Sequence, residues 1–162
     1  MSRPRLGIAL GSGSARGWAH IGVLRALHGA GSEPDIVCGT SIGAFVGAAY
    51  AKGRLEELEA WVSGLSRRDV LGFFDVTLNG GLIKGDRLLN FATQRFLNGA
   101  FADLPRPFAC VATDLANGRE VWLKEGLLVD AVRASIALPG LLPPHQVDGR
   151  FLVDGGLVNP VP

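Results

Sequence analysis

An uncharged apolar run from Leu6 to Leu10 predicts a short buried strand near the start of the chain. It runs into Gly11-Ser12-Gly13-Ser14-Ala15-Arg16-Gly17, a loop of glycine and serine. The period then changes. Ile21, Leu24 and Leu27 or His28 fall on one helical face, and Gly29 and Gly31 end the pattern. Pro34 and Asp35 lead into a second strand, Ile36-Val37-Cys38. After Gly39-Thr40-Ser41-Ile42-Gly43 comes a helix of small residues reaching about Lys52 and closed by Gly53.

Leu55, Leu58, Val62 and Leu65 mark an amphipathic helix. Arg67 to Gly85 reads as loop, with Asn79-Gly80-Gly81 as a turn. Asp86 is placed to cap a helix carrying Leu88, Leu89, Ala92 and Phe96. Pro105 and Pro107 precede a strand from Phe108 to Ala112, and Asn117-Gly118 turns the chain into Glu120-Val121-Trp122-Leu123. Leu128 to Ala137 reads as helix, after which Pro139, Pro143 and Pro144 break the pattern. Phe151-Leu152-Val153 is a last short strand ending at Asp154-Gly155-Gly156. Strands alternating with helices predict an α/β class with a mainly parallel sheet. No repeat or domain boundary interrupts the 162 residues, a length that suits one domain.

Composition narrows the function. The net charge is +1, and the basic residues are spread along the chain, which argues against a nucleic-acid binder held by a basic face. Cys38 and Cys110 lie far apart in apolar stretches, form no CxxC pair and suit buried reduced thiols of a cytoplasmic protein. His20, His28 and His145 show no metal-ligand spacing, so no metal site is expected. The longest uncharged stretch, Ile36 to Ala51, is shorter than a membrane span and carries glycines and hydroxyls. A soluble protein is expected, with membrane-surface contact left open. Glycine is the outlier, at 23 residues, about twice its usual share.

The glycines gather where chemistry is expected. Gly39-Thr40-Ser41-Ile42-Gly43 is a G-x-S-x-G between a predicted strand and a predicted helix, the setting of a nucleophile elbow. Gly39 and Gly43 let strand and helix approach, and the helix points its positive end at Ser41. The loop from Gly11 to Gly17 offers backbone N–H groups to an oxyanion, with Gly13 and Ser14 the best-placed donors. Arg16 is placed to hold a phosphate or orient the loop. The loop lacks the Gly-Lys-Ser/Thr end of a P-loop, and Arg16 stands at the third glycine of a dinucleotide fingerprint. Asp154 ends a strand with two glycines behind it, where backbone N–H groups can hold a carboxylate. No histidine follows Asp154, so the Ser…Asp…His order of α/β-hydrolases is absent. His20 suits a core position and His145 a surface loop. The simplest arrangement is a dyad in which Asp154 takes the proton of Ser41.

The three motifs in this order resemble the patatin-like phospholipases, whose oxyanion loop reads roughly G-x-G-x-[KR]-G, with G-x-S-x-G for the nucleophile and D-G-[GA] for the base. Gly17 to Leu27, Asp35 to Gly53, Ala112 to Leu115 and Ser135 to Pro144 also look like family segments. Ser12 and Ser14 stand where many members carry glycine, a change that preserves N–H donation. The resemblance implies a three-layer α/β/α fold with helices on both faces of the sheet. It implies Ser41 as nucleophile, Asp154 as general base, and an oxyanion hole at Gly13 and Ser14 with Arg16 alongside. It further implies hydrolysis of lipid acyl esters without a cofactor, on a substrate that is itself the partner, with oligomeric state open. An acyl pocket is expected from Leu71 to Phe74 and Leu138 to Leu142. Family domains continue beyond D-G-[GA], so the resemblance implies a catalytic domain, 1–162, cut short soon after Asp154. The competing expectation is a lipid- or partner-binding domain of this family with little or no turnover.

Overall fold

The computed structural model describes the backbone of residues 4–66 and 81–162, and the side chains of residues 4–66 and 89–162. Its strands are β1 (Gly7–Leu10), β2 (Ile36–Thr40), β3 (Phe108–Asp114), β4 (Glu120–Leu123), β5 (His145–Val147) and β6 (Arg150–Asp154). Its helices are α1 (Ala19–Gly29), α2 (Ile42–Ala51), α3 (Leu55–Ser63), α4 (Gly81–Leu97) and α5 (Leu128–Ser135). Short 3-10 turns cover Ser14–Trp18, Phe101–Asp103 and Gly155–Leu157.

The fold is α/β, and β1, β2 and β3 pair in parallel as the alternation predicts. The later strands pair antiparallel: β4 and β6 with β3, and β5 with β6. The register determines how these strands are arranged. Val111 pairs with both Thr40 and Trp122, so β2 and β4 lie on opposite edges of β3. Ala112 pairs with both Val121 and Asp154, so β4 and β6 also lie on opposite edges. β2 and β6 therefore share one edge of β3 and approach each other end to end, Thr40 beside Val111 and Asp154 beside Ala112. β6, which ends at Asp154, reaches the site by running against β2.

Helix α2 organises the core. Ile42 to Ala51 carries no charge and every residue is buried, as expected of a helix that is apolar all round. Its small residues let it lie close on the sheet. At Gly47 an added Cβ would come within 3.1 Å of Val37 and 3.2 Å of Phe108. Around α2 pack Leu24 of α1, Leu55 and Leu58 of α3, Leu89, Ala92 and Phe96 of α4, and Leu128 and Val132 of α5. The buried positions of α1 and α3 are among those the period predicted, as are Leu89, Ala92 and Phe96 of α4, where Thr93 and Leu97 are buried as well.

Three expectations change. Helix α4 begins at Gly81, so Asp86 lies within it and is no cap. The loop expected from Arg67 lies outside the described residues up to Gly80. Helix α5 stops at Ser135 rather than Ala137, ahead of Pro139. His145 lies in β5, which makes a hairpin with β6 through Asp148-Gly149, both at positive φ (49 and 78). Asp-Gly between alternating residues is the signal that marks this hairpin.

Candidate active site

Ser41 occupies the turn between β2 and α2 with φ 57 and ψ −124, a conformation that L residues seldom adopt. A serine ahead of a helix ordinarily bonds that helix's first N–H groups. Ser41 does not cap α2. Its Oγ instead donates to Oδ2 of Asp154 at 2.6 Å, inside the buried edge where β2 and β6 meet. The N-terminus of α2 stays open toward the same point, favouring negative charge there.

Glycines make the turn possible. A Cβ on Gly39 would fall 2.4 Å from the Gly43 carbonyl oxygen, and one on Gly43 would fall 2.1 Å from the Leu10 carbonyl oxygen. A Cβ on Gly155 would fall 2.1 Å from the Val111 carbonyl oxygen. All three obstacles are backbone, which cannot rotate away. We predict that Gly43→Ala costs about 3 kcal/mol or more and leaves little soluble protein, as overpacking against fixed atoms does. Gly22→Ala on α1, with nothing within 4 Å of the added atom, should gain up to about 1 kcal/mol. Denaturant midpoints of the two variants check the contrast.

Asp154 is held at every polar group. Its Oδ1 accepts the Gly156 N–H at 2.7 Å, and its carbonyl accepts the Thr113 hydroxyl at 2.8 Å. Its N–H donates to the Ala137 carbonyl at 2.9 Å. The residue is 5% exposed. Burial pushes its carboxyl above the ordinary aspartate range, against the opposing pull of the Ser41 hydroxyl and the Gly156 N–H. A carboxylate so placed is a stronger base than one in water.

Across the pocket lies the glycine loop. Gly13 and Ser14 line the same cavity as Ser41 and Asp154, with Ser14 at φ 46. Among the described residues, neither their N–H groups nor Arg16's side chain has a bonded protein partner. The loop is tied down from two sides. The Ser12 N–H donates to the Pro160 carbonyl at 2.8 Å, and His20 Nε2 donates to the Gly11 carbonyl at 2.8 Å. Arg16 is exposed on the following turn and does not line the cavity.

The cavity measures about 250 Å³, and Ile136, Leu138 and Leu157 give it an apolar wall. A larger cavity of about 480 Å³ lies among Arg25, Tyr50, Glu59 and Arg106, away from both motif residues. Its arginines are paired with Glu59 and Glu33, and it presents no nucleophile beside a base. Of the expected acyl pocket, Leu138 lines the site, Leu141 and Leu142 are buried in the core, and Leu71 to Phe74 lie outside the described residues. Neither His20 nor His145 reaches Ser41. His145 is half-buried and pairs with Asp130 at 3.1 Å. Cys110 is buried and Cys38 half-buried, both free. Ser135 and Asn159-Pro160 brace the site and are not among the candidate site residues read from the sequence, although Ser135 opens one of the family-like segments. No local motif marks them, because their partners lie far along the chain. No helix among the described residues is long and apolar enough to cross a membrane.

Known proteins resemble the chain along nearly its whole length. The chain is 44% identical over 162 residues to an uncharacterized NTE family protein of Mycobacterium bovis, covering 99% of this chain and 45% of that one. It is 37% identical to a patatin-like phospholipase domain-containing protein of Caenorhabditis elegans, across 97% of this chain and 12% of that one. A lysophospholipase of Coccidioides immitis is 35% identical across 95% of this chain and 10% of its own length. The chain thus spans less than half the length of these relatives. The structure of VipD from Legionella pneumophila superposes with a TM-score of 0.68 at 15% identity, over 96% of this chain and 46% of that one, which supports the fold. The patatin-like phospholipase family model matches residues 8–162, and the chain belongs to that family.

Proposed function

We propose that the protein is a serine acyl hydrolase of lipid esters working through a Ser41–Asp154 dyad. The observation that carries this reading is the 2.6 Å bond from Ser41 Oγ to Asp154 Oδ2, facing a cavity lined by Gly13 and Ser14. The distance is within reach for direct proton transfer. The lysophospholipase name of one relative supports the substrate class. Leu157 supports it too, because it lines the cavity while 58% exposed, an apolar lip on which an acyl chain can lie.

In this mechanism Ser41 Oγ attacks the ester carbonyl carbon as its proton passes to Asp154. The N–H groups of Gly13 and Ser14 donate to the oxyanion of the tetrahedral intermediate. The intermediate collapses, the C–O bond to the alcohol breaks, and Asp154 returns the proton to the leaving oxygen. An acyl-Ser41 ester remains. Water then attacks it, giving its proton to Asp154, and collapse releases the fatty acid as Ser41 recovers its proton. Arg16, exposed on the turn that follows the glycine loop, is the residue this reading offers to a lipid phosphate.

The test is turnover of lysophospholipids, phospholipids and p-nitrophenyl esters as a function of pH. Because Asp154 must be ionised, kcat/KM should rise with pH along one limb. That limb should lie above the ordinary aspartate value of about 3.9, since burial raises this carboxyl. His145→Ala should leave it in place. Lipid binding with no release of fatty acid or p-nitrophenol would replace this reading with the non-catalytic one.

A further inference from the structure

Helix α5 ends in a segment that touches both members of the dyad. The Ser135 hydroxyl accepts the Ser41 N–H at 2.9 Å and donates to the Val111 carbonyl at 2.6 Å. Beyond it, the Ala137 carbonyl accepts the Asp154 N–H. The residues between and after, Ile136 and Leu138, line the cavity. In Ser135-Ile136-Ala137-Leu138 the odd positions therefore hold the nucleophile and the base, and the even ones face the substrate space.

Ser135 has no solvent exposure. A buried hydroxyl on a helix ordinarily bonds back to its own helix, as Thr93 on α4 does with the Leu89 carbonyl at 2.9 Å. Ser135 instead reaches across to β3 and to the elbow. A hydroxyl is the group that can accept from Ser41 and donate to Val111 at once. The Val111 carbonyl also seats Gly155, the residue after the base. Ser135 thus ties the strained elbow to the point that fixes the end of β6. A strained φ persists only where its surroundings over-determine it.

We propose that Ser135 is a positioning residue for acyl transfer, whose hydroxyl holds the Ser41 peptide so that Oγ meets Asp154. It touches no substrate atom, and the proposal rests on the Ser41–Asp154 reading above. Losing the tie lets the elbow peptide turn, and a misplacement of about 1 Å costs on the order of 100-fold in rate.

The experiment compares Ser135→Ala, Ser41→Ala and Thr93→Ala on a p-nitrophenyl ester, with thermal melts alongside. Thr93→Ala removes a buried hydroxyl remote from the site. Expected are a kcat about 100-fold lower for Ser135→Ala with KM within about threefold of the parent, and a parental kcat for Thr93→Ala. If Ser135→Ala fails to fold, Ser135→Cys decides, since it fills nearly the same space with a weak donor and acceptor. Its kcat should be at least about 10-fold lower. A parental kcat in a folded Ser135 variant, or a raised KM with unchanged kcat, overturns the proposal while Ser41→Ala is dead. Turnover retained by Ser41→Ala overturns the dyad reading itself.

Discussion

Ser41→Ala should be folded, inert to fluorophosphonate labelling, and slower in ester turnover by about 10⁴-fold or more, the size that loss of the nucleophile has in serine hydrolases. The size follows from the site. No second hydroxyl bonds to the Asp154 carboxylate among the described residues, so none is positioned to take over attack. Ser41 also sits at φ 57, a conformation that carries strain on the order of 1–3 kcal/mol for a residue with a Cβ. Alanine keeps that strain and glycine relieves it. Ser41→Gly should therefore be equally inactive and melt above Ser41→Ala, so strain at the nucleophile can be read from two inactive proteins. Labelling that survives both changes rules Ser41 out as the nucleophile.

Asp154→Asn is expected to lower kcat by about 10³-fold or more while the fold persists. The asparagine oxygen can still accept the Gly156 N–H, but its amide would face Ser41 as a donor and can take no proton. Stability should move the other way. The folded carboxyl titrates above its unfolded value because it is buried. Its contribution to stability is therefore full below the unfolded value and is lost as pH rises through the folded one. Asparagine, neutral throughout, avoids that loss. Asp154→Asn should melt above the parent near neutral pH, with the gap closing as pH falls toward about 4. An unchanged kcat would remove Asp154 as the base, and a melt below the parent at neutral pH would show that its ionised form is not penalised by burial.

Much of this was legible along the chain because it is local. Alternating strands and helices placed β1, α1, β2 and α2 with small boundary differences, since each carries its own period and its own stop signal. The elbow was legible because close backbone approach demands glycine at Gly39 and Gly43 whatever surrounds them. The meeting of β2 and β6 was not. Antiparallel entry leaves no mark on Phe151-Leu152-Val153, and the shared edge emerges only from the double pairing of Val111 and Ala112. Ser135 was hidden for a related reason, since a serine at a helix end usually bonds locally and this one bonds to Ser41 and Val111. Asp148-Gly149 was legible in principle, and the prolines before it obscured the strand they precede.

The end-to-end meeting of two strands on one edge of β3 also orders events in time. Ser41 leaves the ribosome long before Asp154, and their bond spans a sequence separation of 113. Loop closure on that scale comes late, after nearby strands have paired. A nascent or partly folded chain can carry Ser41 yet lack the carboxylate it bonds. On the proposed dyad mechanism, activity toward ester bonds then coincides with completion of the sheet.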